Sequence, residues 1–296
     1  MATHSFRIVN VFTEGPLPFT GNPLCVFEDG SSLSDAQMQS LARQFNLSET
    51  TFILPPSDAK LRAHARVRIF TPSYEMAFAG HPTLGTAQVC RALALGGDSL
   101  LLEMQAGLVP VTAVGNRWTL TALPATSREL DVPREVLAAA LGLEVTDIGE
   151  RPLWVKAGKE QLVIPLKSTD AVRRTAPVPA AMDKIRSEDG QSMAYVFSVS
   201  EAATSPRHAG SSARQALARF FFPAGGAILE DPATGSATAN FGAWCLAMKQ
   251  ALPVQLQISQ GEYADRPSTL FLDVNAQAQI FVGGDVLEIG RGAITL

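Results

Sequence analysis

The stretch EDPATGSATANFGAWC, residues 230–245, decides the fold, because from Gly235 onward it aligns without a gap on GHPTLGTAQVC, residues 80–90. Both segments are almost uncharged on every side, and a helix that is apolar all round must be enclosed by other parts of a fold. The two segments therefore predict two enclosed helices, one in each half of the chain. The residues that coincide are Gly80 with Gly235, Thr83 with Thr238 and Cys90 with Cys245.

Two enclosed helices at matching places suggest two similar domains, each with a β-sheet curled around a central α-helix. Strand-like and helical patterns are mixed along the whole chain, which indicates an α+β architecture. We predict a first domain over residues 1–126 and a second domain over residues 127–286, with a last strand, residues 287–296, returning to the first domain.

Local patterns predict many element boundaries. Ser34–Gln37 is a capping-box pattern that opens a helix through about Phe45. The glycine pair at 96–97 is expected to end the first enclosed helix. Residues 213–222 are compatible with a strand or a short helix. Three separate short strands are expected near the C-terminus, at residues 278–282, 286–289 and 293–296.

Composition argues against several classes of protein. The 296 residues are 46% hydrophobic and 18% charged, with a net charge of -4 and no basic block that would suit a nucleic acid. No apolar run approaches the ~18 residues of a membrane-spanning helix, and the N-terminus lacks a signal-peptide pattern. Three widely spaced cysteines favour reduced thiols in the cytoplasm over a disulfide framework.

The starts of the two enclosed helices are the best candidates for a binding site. A helix N-terminus offers unpaired N–H groups and about half a positive charge. The glycines at positions 80 and 235 lack a Cβ, so a ligand can approach the backbone closely. Two such ends facing one interdomain cleft would bind a carboxylate or stabilise an oxyanion.

At these residues the sequence resembles the PhzF-like phenazine biosynthesis family, within the diaminopimelate epimerase-like superfamily. The family implies two similar domains, a cleft between them, no metal or organic cofactor, and a homodimer. Several motifs occur in the family's order, and their combination is specific where a single one would not be. They are VNVFT with FTGNPL (9–13, 19–24), FNLSETTF (45–52), RIFTPSYEMAFAGHPTLGTA (68–87), EDPATGSA (230–237) and QGEYADRPS (260–268).

The resemblance implies roles for individual residues. Glu49, in LSET, is similar to the family's proton shuttle. His81 of GHP, Asp231 of EDPATGS and Ser236 resemble the groups that orient substrate and support proton movement. The N–H groups at Gly80 and Gly235, which match the helix-start glycines, are expected to bind the substrate. Asn240 stands where small residues are common and is expected to shape the pocket; Asp265, where glycine is more usual, affects only a loop at the cleft edge.

Each polar residue also has a simpler interpretation. An isolated glutamate such as Glu49 is usually a solvated surface residue. His81 and Ser236 could serve only as helix N-caps, and an aspartate before proline, as at Asp231, is most often a turn former. The motif context favours a cleft role for all four residues.

The cysteines argue against one relative of the family. Racemases of the superfamily use two cysteines, one at each helix start, whereas Cys90 and Cys245 follow His81 and Ser236 by nine residues. That is ~13 Å deeper along a helix, which suits core packing. No Cys/His cluster has metal-ligand spacing, and no phosphate-binding glycine loop follows a strand.

The sequence therefore predicts a cofactor-independent isomerase that acts on a small carboxylated substrate. Glu49 would remove a proton from an activated carbon and return it at another position, while both helix starts bind the carboxylate or oxyanion. One alternative is an epimerase that uses Glu49 and Asp231 as paired acid and base. The other is a catalytically silent protein that binds small carboxylates in the same cleft.

Overall fold

The computed structural model describes residues 1–200 and 214–296, which form two compact units. Unit 1 comprises Met1–Thr121 and Gly283–Leu296, and unit 2 comprises Ala122–Val282. The predicted domain boundaries, after residue 126 and before residue 287, differ from this grouping by a few residues.

Unit 1 combines a mixed β-sheet with two α-helices, α1 (Asp35–Phe45) and α2 (Gly80–Ala92). The predicted capping box at Ser34 and Gln37 opens α1, with both reciprocal hydrogen bonds present. The strands are β1 (Thr3–Val11), β2 (Asn22–Phe27), β3 (Thr50–Leu54), β4 (Ala65–Phe70), β5 (Glu75–Met76), β6 (Ser99–Met104), β7 (Gly107–Val114), β8 (Arg117–Thr121) and most of β17 (Ile280–Thr295).

The sheet of unit 1 closes around α2. Its strands pair in the order β17, β1, β2, β3, β4, β6, β7 and β8, and β8 pairs with β17 again. The β2–β3 and β4–β6 pairs are parallel, and the other pairs of known direction are antiparallel. Helix α2 packs against β1, β2, β3, β4 and β8, which explains why its sequence is apolar on every side.

Among its described residues, unit 2 contains the second enclosed helix, α6 (Gly235–Ala247), and three shorter α-helices. The shorter helices are α3 (Arg134–Leu141), α4 (Thr169–Arg174) and α5 (Pro179–Met182). The strands are β9 (Thr126–Glu129), β10 (Leu153–Lys156), β11 (Glu160–Pro165), β12 (Ala194–Ser200), β13 (Arg214–Ala224), β14 (Ala227–Asp231), β15 (Val254–Gln260) and β16 (Ser268–Val274).

The strand pairing of unit 2 repeats that of unit 1. From β10 through β11, β12, β13 and β15 to β16, the pairs alternate antiparallel and parallel, as they do from β1 to β7. In both units a short hairpin strand, β5 or β14, precedes the enclosed helix. The prediction of two similar α+β domains, each with a sheet around a central helix, is confirmed.

The C-termini of α2 and α6 are built in the same way. Ala94 and Lys249 adopt left-handed backbone conformations, with φ of 58° and 53°. The residue that follows each of them donates its backbone N–H to the carbonyl of Cys90 or Cys245, at 3.0 Å in both units. This is the Schellman arrangement that satisfies the last carbonyls of a helix.

Several local predictions were wrong, and in the case of β17 the reason is that pairing with a distant strand overrides the local pattern. Helix α2 ends at Ala92, so the glycine pair at 96–97 lies beyond its cap. The three predicted C-terminal strands are one strand, β17, which pairs with β1 from the other end of the chain. Strands β5, β9 and β14 were not predicted. Residues 214–222 belong to strand β13, and residue 213 lies outside the described residues.

Candidate active site

The loop before α2 is fixed by Arg68 on strand β4. Its guanidinium donates to both carboxylate oxygens of Glu75 at 2.7 Å and to Asp35 Oδ1 at 2.5 Å. Such a paired fork is a strong and directional contact. It ties β4 to the hairpin strand β5, from which the chain runs directly into the start of α2.

The starts of α2 and α6 lack a side-chain cap within the described residues. The N-cap positions are Ala79 and Thr234, and neither side chain accepts a hydrogen bond from the first turn. His81 and Ser236 lie at the second helical position, so the interpretation of either as an N-cap was wrong. The first N–H groups of each helix, at Gly80 and Gly235, therefore receive no cap from a described side chain.

In unit 1 the side chains of Glu49 and His81 meet. Glu49 lies between the end of α1 and the start of β3, and its Oε2 is 3.4 Å from His81 Nε2. The side chains are 15% and 8% exposed respectively, so Glu49 is not the solvated surface residue of the simpler interpretation. The predicted proton carrier and the predicted orienting histidine form one pair.

His81 is electrically neutral near pH 7, because burial lowers its pKa to about 3, opposed by a hydrogen bond to the backbone of Pro23. Proline has no N–H, so the imidazole must be the donor to the Pro23 carbonyl. Nε2 forms no hydrogen bond within the described residues, so Nδ1 makes this bond. Nε2 therefore presents its lone pair to Glu49 and can accept a hydrogen bond from the Glu49 carboxyl group when that group carries a proton.

In unit 2, Asp231 ends strand β14 and is tied to the start of α6. Thr234 Oγ1 donates to Asp231 Oδ2 at 2.5 Å. Gln260 Nε2 donates to the Asp231 carbonyl at 2.9 Å and to Thr234 Oγ1 at 3.0 Å. Asp231 therefore forms the turn of the simpler interpretation, and its partly buried carboxylate lies at the entry to α6.

The QGEYADRPS segment packs against this turn through Gly261. Gly261 has φ of +80°, and a Cβ at this position would lie 2.4 Å from the carbonyl oxygens of both Pro232 and Arg266. Only glycine combines this backbone conformation with so close an approach. Two motifs that are far apart in the sequence therefore form one structural unit next to α6.

Ser236 is the other polar group at the start of α6. Its Oγ accepts a hydrogen bond from Gln161 Nε2 at 3.0 Å, and Gln161 is in turn bonded to Asn240 at 2.8 Å. Asn240 and Gln161 are fully or almost fully buried. Asn240 thus lies behind the helix start and acts on Ser236 through Gln161.

The predicted site residues divide between the two units. Glu49, Gly80 and His81 lie together in unit 1, and Asp231, Gly235 and Ser236 lie together in unit 2. The sequence did not single out Arg68, Gln260 or Gln161. Arg68 and Gln260 belong to motifs that carry the family resemblance, so the motifs could have identified them. Gln161 lies in a strand without a motif and gives no such signal.

Cys90 and Cys245 are core residues, as predicted. Both are fully buried and free of disulfide bonds. Burial raises the pKa of both thiols to about 12, so neither is a thiolate near neutral pH. Acid–base chemistry by paired thiols therefore has no support here.

The residues that the structure describes contain neither a membrane-spanning helix nor a metal-binding cluster. None of their helices is long and apolar enough to cross a membrane. No group of three or more His, Cys, Asp or Glu side chains among them could bind a metal ion.

Comparison with known proteins agrees with this geometry. The model of the phenazine biosynthesis-like protein family matches residues 9–286. The chain belongs to the PhzF-like phenazine biosynthesis family. An uncharacterized isomerase of Pasteurella multocida is 37% identical, covering 99% of this chain and 95% of the relative.

Other members of the PhzF-like family give the general class and the fold. The trans-2,3-dihydro-3-hydroxyanthranilate isomerase of Pseudomonas chlororaphis is 32% identical, with 99% of this chain and 100% of the relative covered. The crystal structure of a PhzF-family protein of Bacillus anthracis superposes with a TM-score of 0.84 over both full chains at 24% identity. The chain is thus an isomerase in general class, with the diaminopimelate epimerase-like fold.

Proposed function

We propose that this chain moves a proton between two carbons of a small carboxylated substrate, with Glu49 as the proton shuttle. The observation that carries the proposal is the 3.4 Å approach of Glu49 Oε2 to the neutral His81 Nε2 at the start of α2. A carboxylate in this position can remove a proton from a carbon. The adjacent lone pair can stabilise the protonated acid until the proton is returned.

The proton balance needs no other reactant. Glu49 takes the proton from one carbon, and the electron pair of the broken C–H bond shifts into the substrate's double-bond system. The same proton, or one exchanged with solvent, is then delivered to a second carbon. The reaction is redox-neutral, so the proposal includes no organic cofactor and no metal.

We assign substrate binding to the helix starts. The N–H groups near Gly80 and Gly235 and the hydroxyl of Ser236 suit a carboxylate or a developing oxyanion. Asp231, oriented by Thr234, would act on a polar group of the same substrate. That groups of both units serve one substrate follows from the family resemblance and is part of the proposal.

The relative from P. chlororaphis suggests the first compound to test. Its name gives trans-2,3-dihydro-3-hydroxyanthranilate as its substrate, a small carboxylate with an activated C–H bond. We propose the same chemical class for this chain. A homodimer in the cytoplasm, as the resemblance and the unpaired cysteines suggest, completes the proposal.

The Glu49→Gln variant tests the shuttle. It keeps the shape of the side chain but removes the base, so solvent-deuterium incorporation should fall by about 10²–10⁴-fold. The measurement is proton NMR in deuterated water, with trans-2,3-dihydro-3-hydroxyanthranilate and a panel of small unsaturated carboxylates. Glu135→Gln, on the exposed side of α3, is the matched control and should retain wild-type exchange. Retained exchange in Glu49→Gln would rule out the shuttle role.

A further inference from the structure

A chain of buried amides stands behind Ser236 in unit 2. Asn240 is 0% exposed and Gln161 is 2% exposed. Asn240 is bonded to backbone groups of the turn between β10 and β11, Gln161 is bonded to Ser236 at the start of α6, and the two amides are bonded to each other. Buried amides that are fully hydrogen-bonded hold one orientation, because any flip would leave donors facing donors.

The backbone sets the orientation of the Asn240 amide. The N–H of Ala157 donates to Asn240 Oδ1 at 2.6 Å, and Asn240 Nδ2 donates to the carbonyl of Lys159 at 3.0 Å. A backbone N–H can only donate and a backbone carbonyl can only accept. The oxygen and nitrogen of this amide therefore cannot exchange places.

This orientation passes to Gln161 and then to Ser236. Asn240 Nδ2 also donates to Gln161 Oε1 at 2.8 Å, which leaves Gln161 Nε2 to donate to Ser236 Oγ at 3.0 Å. Ser236 thus accepts a hydrogen bond from behind. The Ser236 hydroxyl donates no hydrogen bond to a residue in the described part of the chain, so its O–H is available to a ligand.

In unit 1 the equivalent position is a glycine, and a side chain there would have to displace its neighbours. Gly85 aligns with Asn240, and a Cβ there would lie 2.6 Å from Leu24 Cδ2 and 2.9 Å from Val11 Cγ2. In unit 1 the second helical position instead carries His81, whose Nε2 faces Glu49. The two helix starts are therefore chemically different, with a hydrogen-bond acceptor at His81 and a preset hydrogen-bond donor at Ser236.

We propose that Gln161, fixed by Asn240, is a positioning residue that presets the Ser236 hydroxyl as a hydrogen-bond donor to the substrate carboxylate. This inference rests on the proposed function. It assigns carboxylate recognition chiefly to the α6 start of unit 2 and proton transfer chiefly to the α2 start of unit 1. Loss of Gln161 should therefore weaken binding and leave the chemical step largely intact.

A double-mutant cycle tests the role of Gln161. Gln161→Met and Ser236→Ala should each raise KM for trans-2,3-dihydro-3-hydroxyanthranilate, and Kd for anthranilate by calorimetry, by roughly tenfold, the effect of one lost hydrogen bond to a charged group. kcat should change less than threefold. The double variant should bind no more weakly than Ser236→Ala alone, because Gln161 acts through Ser236. Gln257→Met, another buried strand glutamine of unit 2, should bind like the wild type.

A second measurement covers the case in which Gln161→Met does not fold. In protein labelled with ¹⁵N-glutamine, Ser236→Ala should shift the side-chain amide signals of Gln161 and leave those of Gln257 unchanged. Three results would each overturn the role of Gln161 but leave the proposed function standing. They are additive losses of binding affinity in the cycle, wild-type binding by Gln161→Met, and unshifted Gln161 signals. Wild-type protein that neither binds nor turns over these carboxylates would overturn the proposed function, and this inference with it.

Discussion

At the scale of the residue, His81 is the most informative group. Its ring is buried and donates to the Pro23 backbone, and burial lowers its pKa from 6.5 to about 3. A protonated His81 would form an ion pair with the Glu49 carboxylate and so weaken it as a base toward the substrate C–H group. A neutral ring leaves its Nε2 lone pair available instead, which suits a site that transfers one proton.

The lowered pKa of His81 has a consequence for stability. As the pH falls below 6.5, the unfolded chain protonates this imidazole, whereas the folded chain does so only near pH 3. The unfolded state then binds more protons, so the free energy of unfolding falls with decreasing pH. At pH 5 the loss is about 2 kcal/mol, at ~1.4 kcal/mol per unit.

His81→Gln should remove this dependence. Urea unfolding at pH 7.5 and pH 5 should show a drop in unfolding free energy that is about 2 kcal/mol smaller in the variant than in the wild type. Thr112→Ser, at an exposed and non-titrating position of the same unit, is the control and should keep the wild-type drop. Equal drops in wild type and His81→Gln would mean that His81 titrates alike in the folded and unfolded chain.

At the scale of the element, α2 and α6 share the same length and the same features at both ends. Each begins at a glycine, has 13 residues, and ends in a Schellman cap with a left-handed residue. The residues at these cap positions, Ala94 and Lys249, are exposed and are not glycine. An L-residue in this conformation costs about 1 kcal/mol relative to glycine.

Ala94→Gly and Lys249→Gly should therefore each stabilise the protein. The gain should be about 0.5–1 kcal/mol, because relief of strain exceeds the extra entropy of glycine in the unfolded chain. Thermal or urea unfolding measures it. Ala92→Gly, at the last helical residue of α2, is the control and should destabilise by up to about 1 kcal/mol. Destabilisation by both cap variants would contradict the left-handed assignment.

The enclosed helices could be predicted from sequence because enclosure leaves a local trace, the absence of charge on every side. Strand β17 could not be predicted as one element. Its glycines interrupt the local pattern, yet Gly284 and Gly292 lie directly against the rings of Phe12 and Phe6, where a Cβ would come within 2.3 and 2.7 Å. Pairing between opposite ends of the chain gives no such local signal.

The site was predictable to a similar degree. Glu49 and His81 were singled out by motifs, but their contact depends on how the fold brings the segment before β3 to the start of α2. The Gln161–Ser236 bond joins residues 75 positions apart, and Gln161 is one polar residue in a buried strand. Nothing in a single sequence pairs it with the helix start.

At the scale of the whole molecule, the repeated topology explains how one chain could supply two different helix starts. Both units use the same strand order and the same enclosed helix. The side chains at the second helical position have diverged to His81 and Ser236. On the proposed function, this divergence separates proton transfer from carboxylate binding.

The position of deuterium in the product shows whether the protein moves a proton from one carbon of the substrate to another. Wild-type protein would be incubated in deuterated water with trans-2,3-dihydro-3-hydroxyanthranilate and the unsaturated carboxylate panel, and the products followed by proton and carbon NMR. We expect an isomer with a shifted double bond and with deuterium at a carbon that bore no transferable proton in the substrate. Deuterium only at the original carbon with inverted configuration, or no carbon-bound exchange with any compound, would contradict it.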